Sequence, residues 1–309
     1  VGEWRPGTSA GVRVPASSAN LGPGFDSIGI ALGVWDRCRA TVLDTPGLEV
    51  TVAGEGAGAV PQDESHLVHR SFVHAFEDLG RSAPTGLRIE CHNEVPHGRG
   101  MGSSATAIVT GIALAHALAG QQDGTPGVID LNRINDLAAR LEGHPDNSSA
   151  SVFGGLTLSW SDDPALGTST LRLTPHPDVV PVVFSPATQL STATARAVLP
   201  AQVRLGDAAA NSARAALLVR AVTDAPEHLL AGTREWLHQE PRRPSYPDSM
   251  ALVDSLRAAG HAAVISGAGP SVLVLATTST AGDVVGHGGE GWRVLQPGIP
   301  DHGVEVLTS

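Results

Sequence analysis

Lysine is absent from this sequence: all 20 basic residues among its 309 are arginines. That excludes a Walker A phosphate loop, a protein-kinase strand lysine and a pyridoxal Schiff base, each of which needs a lysine amine at the reacting centre. Cysteine is almost absent too. Cys38 and Cys91 are too few for a disulfide framework or a zinc cluster, and they read as ordinary buried thiols. Aromatic residues make up 4%, so the core has to be built from Ala, Val, Leu and Ile. Positive charge is in deficit, with a formal net charge of −11 that disfavours nucleic acid as a partner. No unbroken apolar run approaches the roughly 18–20 residues of a membrane span, and the opening VGEWRPGTSAG lacks the form of a secretory signal. These absences predict a cytoplasmic chain with neither a membrane nor a nucleic-acid partner.

What is present is a packed-core composition, 41% hydrophobic, in a chain long enough for two domains of ~100–200 residues. Strands are predicted at 12–15, 39–43, 48–52, 87–91, 154–160, 179–184, 262–265 and 271–276. Helical spacing covers 67–79, 103–118, 131–142, 207–222, 225–236 and 249–259. Strand pairs and helices mix without regular alternation, which predicts an α+β fold rather than a doubly wound sheet. The polar, turn-rich SDDPALG at 161–167 sets the expected domain boundary, giving domains 1–165 and 166–309. There is no internal repeat.

Three loops carry chemistry. In the first, Pro96-His97-Gly98-Arg99-Gly100-Met101-Gly102-Ser103-Ser104-Ala105, glycines at alternate positions leave backbone N–H groups free to converge on an anion. The loop runs into the N-terminus of an apolar helix, whose free amides and dipole favour a polyanion. Ser103 and Ser104, in the first turn, suit a cap or a phosphate-bound metal. The bland alternative is a glycine-rich turn with a serine cap. A second loop, Ala16–Asp26, is dense in small and hydrogen-bonding residues; Asn20 and Asp26 either hold a cationic substrate group or close a turn and cap a helix. The third, Ser266-Gly267-Ala268-Gly269-Pro270-Ser271, permits close approach to a ligand or is a plain hairpin loop.

PHGRGMGSSA resembles the P-x3-G-L-G-S-S-A phosphate motif of the GHMP kinases, and ISGAGPSV resembles their third, glycine-rich motif. VPASSANLGPGFDSIG resembles the first motif in its homoserine kinase form, and so do the segments Glu142–Asn147 and Ser191–Pro200. Five matches in the family's order span residues 13–275. The resemblance implies a two-domain GHMP fold: a ribosomal protein S5 domain 2-like N-terminal domain and a ferredoxin-like C-terminal domain, with the site between them. It implies transfer of the ATP γ-phosphoryl group to the side-chain hydroxyl of L-homoserine, on the route to threonine, with Mg2+ as cofactor and a homodimer as the common assembly.

Carried over residue by residue, the loop 96–105 cradles the nucleotide phosphates, and Ser104 and Glu142 hold the metal. Asp26 and Asn20 take the substrate's amino end or hydroxyl, with Asn147 nearby. Arg196 and Arg243 are the carboxylate candidates, with Arg242 as the fallback to Arg243, and Thr192 sits by the transferred group. For each arginine a surface ion pair is the alternative. Arg99 either adds charge near the phosphates or points to solvent. No general base is assigned; Asp146 and His144 are read as positioning residues. Three departures stand out: Met101 where Leu is usual, a short 142–147 segment, and Ser65-His66 where an Asn is usual beside the adenine. A kinase for another small hydroxylated acceptor and a non-catalytic ligand-binding relative remain open, though an intact Ser104–Glu142 pair weighs against the latter.

Overall fold

The computed structural model describes residues 4–163 and 167–307. The first part of the chain forms β1 (Ser9–Asn20), β2 (Gly24–Val42), β3 (Gly47–Gly54), α1 (Leu67–Asp78), β4 (Gly86–Asn93), α2 (Ser103–Gln122), α3 (Leu131–Glu142), α4 (Asp146–Phe153), β5 (Leu156–Trp160) and β6 (Ser169–Leu173). The second forms β7 (Val179–Pro186), α5 (Thr192–Ala197), α6 (Leu205–Thr223), α7 (Leu229–Gly232), α8 (Gln239–Arg242), α9 (Pro247–Ala258), β8 (Ala262–Ile265), β9 (Val272–Thr277), α10 (Ala281–Gly286), β10 (Trp292–Leu295) and β11 (Glu305–Leu307).

Two sheets result. The first runs β11-β1-β2-β4-β3, and the long strand β2 forks: its C-terminal half pairs with β4, while Ile28–Ile30 pair with β5, which carries β6. The second is the antiparallel β10-β7-β9-β8. Residue 165, the expected boundary, lies outside the described residues. The sheets divide the chain after β6, and β11 returns the C-terminal segment to the first sheet.

Alternation sets the buried faces. On the C-terminal half of β2 the buried positions are 36, 38, 40 and 42; Cys38, Ala40 and Val42 face the core under α1–α3. That core is mostly aliphatic, with Phe72 and Phe76 as its buried aromatics. A second cluster joins the two sheets through Ile30, Leu32, Val95, Met101, Leu218, Val264 and Leu273, so the cleft between the domains has a solid floor. A third packs α9 and α10 on the outer face of β8 and β9.

Three local readings are corrected. Residues 16–20 continue β1 instead of opening a long loop, with ladder irregularities at Pro15/Ala16 and Ala19/Asn20. Their alternation is hidden because Ala16, Ser17, Ser18 and Ala19 are small and buried on both faces. The helix expected over 225–236 shrinks to a 3-10 turn at Pro226–His228 and the short α7, which ends at Gly232 and the Thr233 hydroxyl donating to Leu229 O at 2.9 Å. Finally, α2 does reach the length and hydropathy of a membrane span, with a mean hydropathy of 1.4 over its best window. As 83% of that window is buried among α1, α3, α4 and the first sheet, it is a core helix of this fold.

One buried charge has a measurable consequence. Asp36 Oδ1 accepts the N–H groups of Glu94 at 2.7 Å and Val95 at 2.9 Å, yet burial still pushes its pKa up to about 6. Folding therefore tightens its hold on the proton relative to the unfolded value of about 3.9. The resulting stabilisation is complete below about pH 4 and lost as pH rises through about 6. Asp36→Asn should gain about 2–3 kcal/mol relative to wild type between pH 4 and pH 7 in urea unfolding. A pH-independent difference would mean that the carboxylate stays hydrated.

Candidate active site

The three loops singled out in the sequence converge on one another's backbones. Ser17 N–H donates to Met101 O at 3.2 Å, Gly267 N–H to Ala19 O at 3.1 Å, and Ser271 N–H to Arg99 O at 3.2 Å. The Ser266 hydroxyl reaches both Gly100 O at 2.5 Å and Ser18 Oγ at 2.8 Å. Glycine is required at two of these contacts. Gly100 and Gly102 have φ of +76° and +71°, and a Cβ would overlap the Ser266 carbonyl oxygen at the first and Ser17 Oγ at the second.

Gly102 starts α2, and no side chain caps that helix. Its first-turn amides therefore stand free at the edge of a cavity of about 450 Å³ lined by Gly98, Gly100, Gly102, Ser103 and Ser104. No arginine of the loop assists: Arg99 turns to Glu55 at 3.5 Å and to Ala187 O at 3.2 Å. Pro96, Met101 and Ala105 are buried beneath the loop, and Met101 fills the interdomain core as a Leu would.

Across the cavity, the Ser104 hydroxyl donates to Glu142 Oε2 at 3.2 Å. Burial pushes the Glu142 pKa up, against the pull of His144 and Ser104, and among the described residues Glu142 makes no ion pair. A hydroxyl and a sheltered carboxylate lacking a cation suit a hard divalent ion. His144 Nδ1 lies 3.1 Å from Asp146 Oδ1; burial opposes its charge, but Asp146 and Glu142 outweigh this and raise its pKa. Asn147 Oδ1 accepts the Ser17 hydroxyl at 3.1 Å, so the short 142–147 segment still delivers both residues to the cavity.

The far end is built by β1, β2 and the second domain. Asn20 and Asp26 both have positive φ, at 68° and 55°. Asn20 Nδ2 donates to Gly267 O at 3.0 Å, and its Oδ1 accepts Asp26 N–H at 3.0 Å. Asp26 faces Arg196 of α5 in a two-pronged pair, at 2.6 and 3.1 Å. Thr192 begins α5 and also lines the cavity.

The remaining arginine differs from the expectation. Arg243 points outward to Glu240 and Asp254, each at 2.8 Å or less, and does not line the cavity. Arg242 does, because successive residues of a helical turn face directions about 100° apart. Arg242 is buried, donates to Ala195 O at 2.9 Å and to His238 Nδ1 at 3.3 Å, and among the described residues has no carboxylate partner. His238 is held in the matching tautomer by donating from Nε2 to Gly22 O at 2.9 Å. Phe25 stacks on His238 and lies 5.7 Å from both guanidinium carbons.

Residues 66–155 match the GHMP kinases N terminal domain, and residues 213–287 match the GHMP kinases C terminal domain. The chain belongs to the GHMP kinases. It is 49% identical over 296 residues to a homoserine kinase of Streptomyces avermitilis, covering 96% of this chain and 95% of that one. It is 45% identical to a homoserine kinase of Rhodococcus erythropolis, covering 98% and 97%. Among solved structures it resembles a homoserine kinase from Cytophaga hutchinsonii, with a TM-score of 0.83, 24% identity and coverage of 99% and 100%. It also resembles mevalonate diphosphate decarboxylase from Staphylococcus aureus, at 0.70, 17%, 97% and 98%. These two share the fold. The α+β, two-domain GHMP architecture implied by the motifs is the observed one.

Sequence reasoning missed several cavity residues: Asp36, Cys38, Cys91 and Asn93, with Val60 and Pro61 as apolar wall. The available signal for Asp36 was an acid falling in step with buried positions 38, 40 and 42 of one strand.

The interlocked backbones make the glycines non-equivalent. Gly100→Ala should weaken ADP binding at least tenfold and lower stability by about 1–3 kcal/mol. Gly98→Ala meets only the Gln189 side chain, nearest at 3.3 Å, and should have the milder effect on both. Thermal melts and calorimetric titration with ADP compare the two; equal behaviour would mean that the Gly100–Ser266 contact is dispensable.

Proposed function

We propose that this chain transfers the γ-phosphoryl group of ATP to the side-chain hydroxyl of L-homoserine, giving O-phospho-L-homoserine. The observation that carries the reading is the buried, acid-free Arg242 facing a cavity that also holds Asp26 and Arg196. An amino acid brings a carboxylate for a guanidinium and an ammonium for Asp26. The homoserine kinase relatives, each matched over nearly the full chain, support the same choice.

In this reading the amides of residues 98–104 seat the phosphates and leave the γ-phosphorus facing the acceptor end. Ser104 and Glu142 would hold Mg2+, which supplies charge neutralisation on the phosphoryl oxygens when bound. Asn20 fixes the Asp26 backbone, so that the ammonium is gripped at a set distance from the phosphate seat. Arg242 and Arg196 take the carboxylate, orienting the hydroxyl for in-line attack. Thr192 stands at the edge where the transferred group passes. His144 is a positioning residue held by Asp146, whose carboxylate favours the charged form of the imidazole.

An acceptor screen tests the assignment. Homoserine should be turned over with kcat/KM at least a hundredfold above serine, threonine or mevalonate; no preference would end it. Arg242→Ala should raise the homoserine KM about 30–150-fold, the loss of ~2–3 kcal/mol expected for a charge-assisted contact, with ATP binding nearly intact. Arg243→Ala, which loses only surface pairs, should stay within about threefold. The reverse order of effects would return the substrate role to Arg243.

A further inference from the structure

The wall of the cavity holds one carboxylate that phosphoryl transfer leaves unused. Asp36 is 6% exposed, and it lines the same cavity as Ser103 and Ser104. Its Oδ1 alone accepts two consecutive amides, Glu94 N–H and Val95 N–H. A single acceptor gripping adjacent peptide groups fixes both where that stretch lies and how it is turned. The next residue is Pro96, which donates no hydrogen bond and has its φ fixed near −65°. The orientation set at 94–95 therefore passes directly into the phosphate loop.

The other anchors of the loop lie further along. Gly98 O accepts Leu190 N–H at 2.8 Å, Gly100 O accepts the Ser266 hydroxyl, and Met101 O accepts Ser17 N–H. The entry to the loop is held from Asp36 and by the burial of Val95 in the interdomain core. No cation balances this carboxylate within ion-pair distance among the described residues. Burial, with Glu94 and Glu55 adding repulsion, works against its charge. Charge-assisted bonds to the two amides are the return on that cost.

We propose that Asp36 is a positioning residue for nucleotide binding: by holding the Glu94 and Val95 amides it sets where the phosphate-loop amides stand. The proposal rests on residues 96–105 being the phosphate seat, and it concerns the phosphates rather than the base. Asp36→Asn keeps an acceptor oxygen at the same place, while Asp36→Ala removes it.

Calorimetric titration of both variants and wild type at pH 7.5, with inorganic tripolyphosphate, ADP and adenosine as separate probes, tests it without any acceptor substrate. Asp36→Ala should weaken tripolyphosphate and ADP at least tenfold and leave adenosine within twofold, while Asp36→Asn stays within threefold of wild type for all three. Wild-type tripolyphosphate affinity in Asp36→Ala overturns the proposal. So does a matching loss of adenosine affinity, which would make Asp36 a base contact, and so does an Asn variant as weak as the Ala variant. If thermal melts show Asp36→Ala unfolded, Asp36→Ser, whose hydroxyl is too short to reach both amides, is judged by the same thresholds. Wild-type protein that binds neither ADP nor tripolyphosphate would sink the phosphate-seat reading and this proposal together. Normal wild-type binding with an unaffected Ala variant removes only the role of Asp36.

Discussion

The cleft depends on close approach at two glycines: Gly100 lies against the Ser266 carbonyl and Gly102 against the Ser17 hydroxyl, leaving no room for a Cβ at either. A phosphate seat made of peptide N–H groups has no long side chain to adjust to its ligand. Its geometry must be fixed in advance by the surrounding structure. Here that surrounding is two other loops, one from each sheet, tied by Ser17 to Met101, Gly267 to Ala19 and Ser266 to Gly100. The absence of lysine makes the dependence stricter. Arg99, the only arginine in the loop, is turned toward Glu55, so in the proposed reading the phosphates fall to the amides and the start of α2. Precision in this site comes from packing small residues closely, which explains why Ala16–Ala19 of β1 are all small and all buried.

The cavity is lined by charges of both signs: Glu142 and Asp146, beside Ser104 and His144, together with Asp26, Arg196 and Arg242. Asp26 and Arg196 satisfy each other across the domain boundary, while Arg242 donates to Ala195 O and His238 and, among the described residues, has no carboxylate partner. In the proposed reading that asymmetry selects the ligand's charge. A lone anion would meet Arg242 but leave Asp26 and Arg196 closed on each other. A zwitterion offers Asp26 a new cation as it offers the arginines an anion, so opening the pair leaves no charge unmatched.

Much of this was legible in the sequence because the relevant signals are local. Glycine spacing at 98, 100 and 102, the helix that follows and the 131–142 helix all emerge from periodicity and backbone freedom. What failed was non-local. The β1 segment 16–20 reads as a loop because its strand character comes from being covered on both faces, by α2 and α4 on one side and the third loop on the other. The choice between Arg242 and Arg243 rests on which way a four-residue helix is rotated, and its docking through His238 onto Gly22 decides that. Asp36 carries no motif at all; its meaning depends on Glu94 and Val95, which are 58 and 59 residues away.

Fold similarity alone leaves the reaction undetermined, since the same architecture is shared with a mevalonate diphosphate decarboxylase at a TM-score of 0.70. In the proposed reading the phosphate end of the cleft is made of backbone and the acceptor end of side chains on α5, α8 and the β1–β2 turn, where a few substitutions would change the substrate without disturbing the seat. Phe25 ties these elements together by stacking on His238 and lying equally near Arg196 and Arg242. Because α5 and α8 come from the second domain while Asn20 and Asp26 come from the first, the acceptor pocket exists only when the domains are docked. In the proposed reading the aliphatic interface through Ile30, Met101, Leu218 and Leu273 therefore serves substrate recognition as much as stability.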